Sequence, residues 1–291
     1  MQGLDTSRLL TRGEPFNFRN LMRRASPTVD LAAVIWDEVE SQTAFGQIEK
    51  KELCDYAQMS YLGGFDQPEN KVTAGILEEL AVIAGEWGAY GILAELTENS
   101  SLFEGFRIAG FSIWARQSIY QLMANTNPRQ EQRWRTSTSL DQHSVNKINK
   151  RIVPAFSQPM AAVSRKSENR IVACSDDGDF LAYAELYQGP KAWWVQPFIL
   201  PDADSVGLLR QLANAIPNQN NRPIFLCARS YQPLVAIAAE KLGCRRVSSQ
   251  TLLVKHLVLR DKVAQSTLQK IFEQGSIEGS LPVSRIKGKS T

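Results

Sequence analysis

The sequence predicts a layered α+β fold carried twice, in which each half packs helices against a mixed, mostly antiparallel sheet. Three observations predict it. Strand and helix periods alternate along the whole chain of 291 residues. The order strand, helix, strand that closes the first half returns at the end of the second. Superposing Gly110 on Gly243 also puts Gln117 on Gln250, Ser118 on Thr251 and Ile119 on Leu252 at one constant offset, which favours duplication. A chain of this length suits two domains of ~100–200 residues each.

In chain order, the first half offers strands near DLAAVIWDE and LCDYAQMSYLG and a helix through KVTAGILEELAVIAGEWG. A glycine turn then leads into the strand GILAEL, a short helix in NSSLFEGFRIAGF, and the strand SIWARQSIYQL. The stretch MANTNPRQEQ is polar and aperiodic, so the boundary falls near Asn127-Pro128, giving domains 1–128 and 129–262. The second half opens with a short strand at RWR, Asp141 as a helix N-cap candidate, and a polar helix. Two strands in RIVACSDDGDFLAYAELYQG meet at an Asp177-Gly178 turn, and KAWWVQPFIL follows as a third. RPIFLCAR, SYQPLVAIAAEKLGC and RRVSSQTLLVKHL read as strand, helix, strand. The tail, 263–291, is rich in Gly, Ser and Lys from about Gly275 and is expected to be mobile.

Composition narrows the function. With 43% hydrophobic and 22% charged residues the chain is that of a globular protein. A net charge of +3 is too small to imply a polyanionic partner, so nucleic acid is not expected. No apolar run approaches the ~20 residues a membrane span needs, and MQGLDTSRLLTRGEPF lacks the apolar core of a signal peptide. A cytoplasmic, soluble protein is the expectation. Cys54, Cys174, Cys227 and Cys244 form no Cys-x-x-Cys pair, and only His143 and His256 supply imidazole, so zinc is not expected and the thiols read as buried and reduced.

The most specific local pattern is Asn99-x-x-Leu102-x-x-Gly105-Phe106-x-x-x-Gly110-Phe111. It resembles the fourth helix of the GNAT superfamily, the acyl-CoA-dependent N-acyltransferases, with that family's Asn, Gly and Phe falling on Asn99, Gly110 and Phe111. Val195-Gln196-Pro197 with Leu208-Leu209 resembles the family's fourth strand and third helix in the second half. The resemblance implies two tandem GNAT-like domains, acetyl-CoA or another acyl-CoA as cofactor, and a small-molecule or peptide amine as acceptor. It places the cofactor in the first domain, on Tyr61 and Leu62 of the fourth strand, Asn70, Lys71 and Thr73 at the start of the third helix, and Asn99. A solvated lysine and ordinary helix caps explain the last four equally well.

The family's chemistry is incompletely present. Phe106 occupies the position of the tyrosine that protonates the departing thiolate in many members, and a phenyl ring has no proton to give. Ala239 holds the matching place in the second half. The second half's phosphate loop reads LPDADSVG, where Pro201 removes an amide donor and Asp202 and Asp204 repel phosphate. Glu95 is the candidate for a substrate-facing carboxylate. Arg229, Tyr231 and Gln232 follow a strand end, where loops carry binding groups or cap the next helix. Trp193, Trp194 and Phe198 read as sheet core. Two functions follow: an N-acyltransferase with its cofactor in the first domain, or a binding module that keeps the fold and has lost the cofactor.

Overall fold

In the computed structural model of the protein, residues 2–13, 29–37, 43–52, 54–64, 70–122, 133–163, 169–216, 222–257 and 283–287 are described. The first half runs β1 (Gln2–Gly3), α1 (Thr6–Arg12), β2 (Val29–Asp37), β3 (Thr43–Lys51), β4 (Tyr56–Gly63), α2 (Asn70–Glu86), β5 (Gly91–Thr97), α3 (Phe103–Ile108) and β6 (Ser112–Leu122). The second runs β7 (Trp134–Thr136), a 3-10 turn Ser139–Asp141, α4 (Gln142–Ile152), α5 (Gln158–Val163), β8 (Asn169–Cys174), β9 (Phe180–Gln188), β10 (Trp193–Ile199), α6 (Ser205–Ala215), β11 (Ile224–Arg229), α7 (Pro233–Lys241) and β12 (Arg245–His256). A last strand, β13 (Val283–Lys287), follows.

The repeat predicted from the offset is present, but the two halves share one sheet of thirteen strands. Its order is β13-β2-β3-β4-β5-β12-β6-β11-β10-β9-β8-β7, with β1 added against β4. Each half therefore gives its final strand to the other. β12 pairs antiparallel with β5 of the first half, and β6 pairs antiparallel with β11 of the second. Gln117 and Gln250, the residues that the repeat superposes, sit directly opposite each other in the β6–β12 ladder. Gln117 Nε2 donates to Gln250 Oε1 at 2.6 Å across a separation of 133 residues. A residue that pairs with its own repeat equivalent marks a local two-fold axis, by the geometry of self-complementary contacts.

The layers follow from strand periodicity. On one face, Ile92, Ala94 and Leu96 of β5 pack under Ile76, Leu77 and Leu80 of α2 and Phe106 of α3. On the same face of the second half, Leu226 and Ala228 meet Leu208, Leu209 and Leu212 of α6 and Val235 and Ala238 of α7. The opposite face holds Leu93, Tyr183, Phe198 and Leu252 under Val145 and Ile148 of α4 and Met160 of α5. With both faces covered, strands such as Trp193–Ile199 are buried throughout. Trp193, Trp194 and Phe198 are core, as expected.

The boundary at Asn127-Pro128 lies outside the described residues, and the pairing of β6 and β12 links the two sides of it. Two expectations need correction. The tail is not wholly a solvated terminus, because Val283–Lys287 pairs parallel with β2 and covers that strand's edge. Asp141 precedes α4, yet its carboxylate makes no cap bond to that helix. It turns back instead, accepting from Thr138 N–H at 2.7 Å and from two Arg135 nitrogens at 2.7 and 2.8 Å.

These bonds, the Arg135 pair foremost, hold the Asp141 carboxyl well below the usual carboxylate range. A depressed carboxylate stabilises the fold above its unfolded value of ~3.9 and loses that contribution as pH falls through the folded value. Asp141→Ala is expected to cost about 1–2 kcal/mol at neutral pH, the half-exposed Arg135 limiting the effect. Urea melts should show the gap to the native protein narrowing steadily below about pH 4.

Candidate functional site

The opening between β4 and β5 is where the resemblance places a cofactor. These strands are parallel and pair only through Tyr56–Gln58 against Gly91–Leu93. Opposite β3 the ladder skips from Met59 to Tyr61, leaving Ser60 as an extra, bulged residue, and such a bulge bends its strand. Beyond it the two strands part.

The chain's own residues 2–4 occupy the gap. Gly3 lies opposite Tyr61 and Gln2 opposite Leu62, in antiparallel register. Leu4 N–H donates to the Ser60 carbonyl at 3.0 Å, and Glu95 N–H donates to the Leu4 carbonyl at 3.3 Å, so Leu4 bridges both strands. Its side chain is 0% exposed and belongs to the first-half core. Gln2 is fixed at the mouth, donating to Thr97 Oγ1 at 3.1 Å and accepting from Ser100 Oγ at 2.9 Å.

The strap then crosses to the second half. Asp5 Oδ1 caps α1 by accepting from Arg8 N–H at 3.1 Å. Thr6 N–H donates to Glu95 Oε2 at 2.9 Å, and Gln250 Nε2 donates to Thr6 Oγ1, which ties the strap to the two-fold axis. Arg8 pairs with the buried Glu49 at 2.6 Å. At the far end Thr11 O accepts from Lys191 N–H at 2.9 Å, and Arg12 Nε donates to Tyr187. Sequence reading did not foresee the strap. Its one visible signal is Leu4-Asp5 before a short helix, a pair that recurs as Leu140-Asp141 ahead of α4.

Of the residues expected to hold cofactor, Tyr61 and Leu62 line the gap and give their backbone register to Gly3 and Gln2. Glu95 is bound to the strap as described. Asn70 and Lys71 begin α2 and are exposed, while Thr73 is buried against Gly105. Residues 65–69, just before α2, lie outside the described residues. Asn99 is exposed in a turn at φ 69°, and the N–H of Leu102 is taken by Ser100 Oγ at 3.3 Å, so Asn99 does not cap α3. Phe106 is wholly buried, edge-on to Phe111 at 4.9 Å.

The second half repeats the geometry with different fillings. β10 and β11 pair through Trp193–Val195 against Ile224–Leu226 and then separate. The Pro197 carbonyl in that opening accepts from Gln232 Nε2 at 3.1 Å. At the start of α6, Asp204 Oδ1 accepts from Gly207 N–H at 3.0 Å, so a carboxylate already satisfies the donor that a phosphate would use. Asp202 pairs with Arg151 at 2.7 Å. Ala239 is fully buried. Beside these, Ser144, Lys147, Ile148 and Arg151 of α4 border a cavity of about 330 Å³ closed by Phe180 and Leu200.

One polar row crosses the face beneath α1 and α4. Arg170, Glu185 and Gln196 are successive cross-strand neighbours on β8, β9 and β10. Arg170 Nε lies 3.7 Å from Glu185 Oε1. On β11, Cys227 Sγ donates to Gln117 Oε1 at 3.1 Å, and the Gln117–Gln250 pair extends the row toward Glu95. Burial pushes the Cys227 thiol up to about 11, which makes it inert at neutral pH. Arg229 is buried with its guanidinium 4.8 Å over the Trp114 ring. Burial lowers its pKa, while Tyr231, Cys227 and Glu95 raise it by more, so the guanidinium stays charged.

No family model and no curated protein matches the sequence. Solved structures do match the fold. A conserved protein of unknown function from Staphylococcus epidermidis aligns at TM-score 0.53 and 13% identity, covering 70% of this chain and 85% of its own. A GCN5-related N-acetyltransferase from Sphaerobacter thermophilus aligns at TM-score 0.51 and 10% identity, covering 73% and 76%. Another from Kribbella flavida aligns at TM-score 0.50 and 14% identity, covering 75% and 88%. The chain therefore has the GNAT fold, and its own repeat carries that fold in tandem. Among the described residues no helix is long and apolar enough to cross a membrane.

Proposed function

We propose that this protein is a tandem GNAT-fold binding module in which neither half performs acyl-CoA chemistry. The observation that carries this reading is Leu4, whose backbone bridges β4 and β5 inside the opening of the first half. An extended pantetheine chain needs the same strand groups, and two chains cannot share one row of hydrogen bonds. The residues present do not fit the cofactor. The first opening is filled, the second has a donor of α6 satisfied by Asp204, and buried Phe106 and Ala239 replace the family's acid in both halves.

The parting of β4 and β5 keeps the frame of a cofactor cleft while its contents have changed, as a fold can outlast a function. Calorimetry with acetyl-CoA at millimolar concentration should give no binding heat with the full chain. A saturable isotherm with a Kd below about 1 mM would overturn the reading.

A further inference from the structure

We propose that the polar row at the parting of β10 and β11 is a binding site for a free α-amino acid, taken as its zwitterion. The inference rests on the reading that no acyl-CoA enters the second half, and it names what enters instead.

Three side chains there have a polar atom that is buried and without a hydrogen-bond partner among the described residues. They are Gln196 Nε2, Gln232 Oε1 and Trp114 Nε1. Their residues are 3%, 4% and 8% exposed. Buried polar atoms are almost always satisfied, so three orphans in one region mark a place where a polar molecule belongs. Topology puts them together. Gln196 adjoins Pro197, whose carbonyl holds Gln232 by its other amide atom, and Trp114 lies under the guanidinium of Arg229, the last residue of β11.

The identity of the atoms selects the ligand. Gln196 and Trp114 are donors and call for acceptor oxygens, as a carboxylate supplies. Gln232 Oε1 is an acceptor and calls for an N–H, as an ammonium supplies. The fixed charges agree, because Arg229 and Arg170 are balanced by Glu95 and Glu185. These four charges cancel, so a ligand carrying both signs is favoured over a simple anion or a simple amine.

The test is a thermal-shift screen of the full-length protein against each of the free proteinogenic amino acids at millimolar concentration, with calorimetry on any that acts. At least one is expected to raise Tm in a saturable way. Gln196→Leu should weaken its binding by at least about tenfold while leaving the unliganded Tm unchanged or higher, because it removes an orphan, and Gln232→Leu should weaken binding as much at a lower unliganded Tm, because the Pro197 carbonyl loses its donor. Trp114→Phe, which keeps the ring and loses the N–H, serves where either variant fails to fold. No shift from any amino acid overturns the proposal, and so does a shift that survives in the variants. A lowered Tm in unliganded Gln196→Leu, with no shift in the native protein, assigns the groups to buried water and overturns it equally. Acetyl-CoA is absent from this screen, so its binding would defeat the preceding reading and leave this result standing.

Discussion

Leu4→Ala is expected to cost about 2–5 kcal/mol of folding stability, the range for truncating a fully buried leucine. Leu4 is 0% exposed and packs in the first-half core, although it lies only two residues from the start of the described chain. The companion substitution Leu140→Ala occupies the same Leu-Asp setting before a helix in the second half, but Leu140 is 89% exposed. It should change stability by no more than about 0.5 kcal/mol. Urea unfolding of both variants decides the matter. If residues 2–4 were a cover that lifts without disturbing the fold, Leu4→Ala would resemble Leu140→Ala. If they are part of the sheet, the two differ severalfold, and hydrogen exchange at the amides of Leu4 and Glu95 should follow global unfolding in the native protein.

The strap illustrates what was and was not legible in the sequence. Strands with clear apolar content, such as Trp193–Ile199 and Ile224–Arg229, were recognisable by period, whereas α6 entered through the resemblance carried by Leu208-Leu209. β3 was not, because TAFGQIEKK carries polar residues at both parities. Its Gln47 and Glu49 are nevertheless buried, and Glu49 is tolerated there because Arg8 of the strap pairs with it. That Phe106 stands where the resembled family has its tyrosine was implied by the resemblance of the Asn99–Phe111 motif. The occupant of the β4–β5 gap could not, since one buried leucine in QGLDTS makes no periodic signal and its partners, Ser60 and Glu95, are remote in sequence.

The same distinction holds at the repeat. Superposing Gln117 on Gln250 revealed the duplication, but an offset between equivalent residues does not tell whether they lie in separate domains or face one another. Only the three-dimensional pairing shows that they meet, and that Glu95, Gln250, Gln117 and Cys227 thereby join two half-sites into one polar row. Arg229 and Gln232 lie in a segment singled out for its place after a strand end, and Gln196 in the segment that resembles the family's fourth strand. Trp114 was hidden in a strand that sequence assigns to the other half.

Cutting the chain between residues 128 and 129 should abolish folding of each piece alone and restore it when the two are produced together. The fragment 1–128 retains β5 and β6 but loses β12, which lies between them and pairs with both. The complementary fragment retains β11 and β12 but loses β6, which lies between those two. Either fragment would have a missing central strand, two unpaired edges facing the gap, and apolar residues such as Leu93 and Trp114, or Leu252 and Val254, stripped of their cover. Bringing β6 directly against β5 does not repair this, because the ladder that β12 makes with β5 uses Leu252, Leu253 and Val254 as its apolar content. Size-exclusion chromatography and far-UV circular dichroism should therefore find the single fragments aggregated or unfolded, and the co-produced pair as a 1:1 complex that melts cooperatively. A monomeric 1–128 with its own sharp transition would show that the exchange of strands is dispensable. It would also show that the two GNAT units are independent, and the shared polar row would then be an accident of their packing.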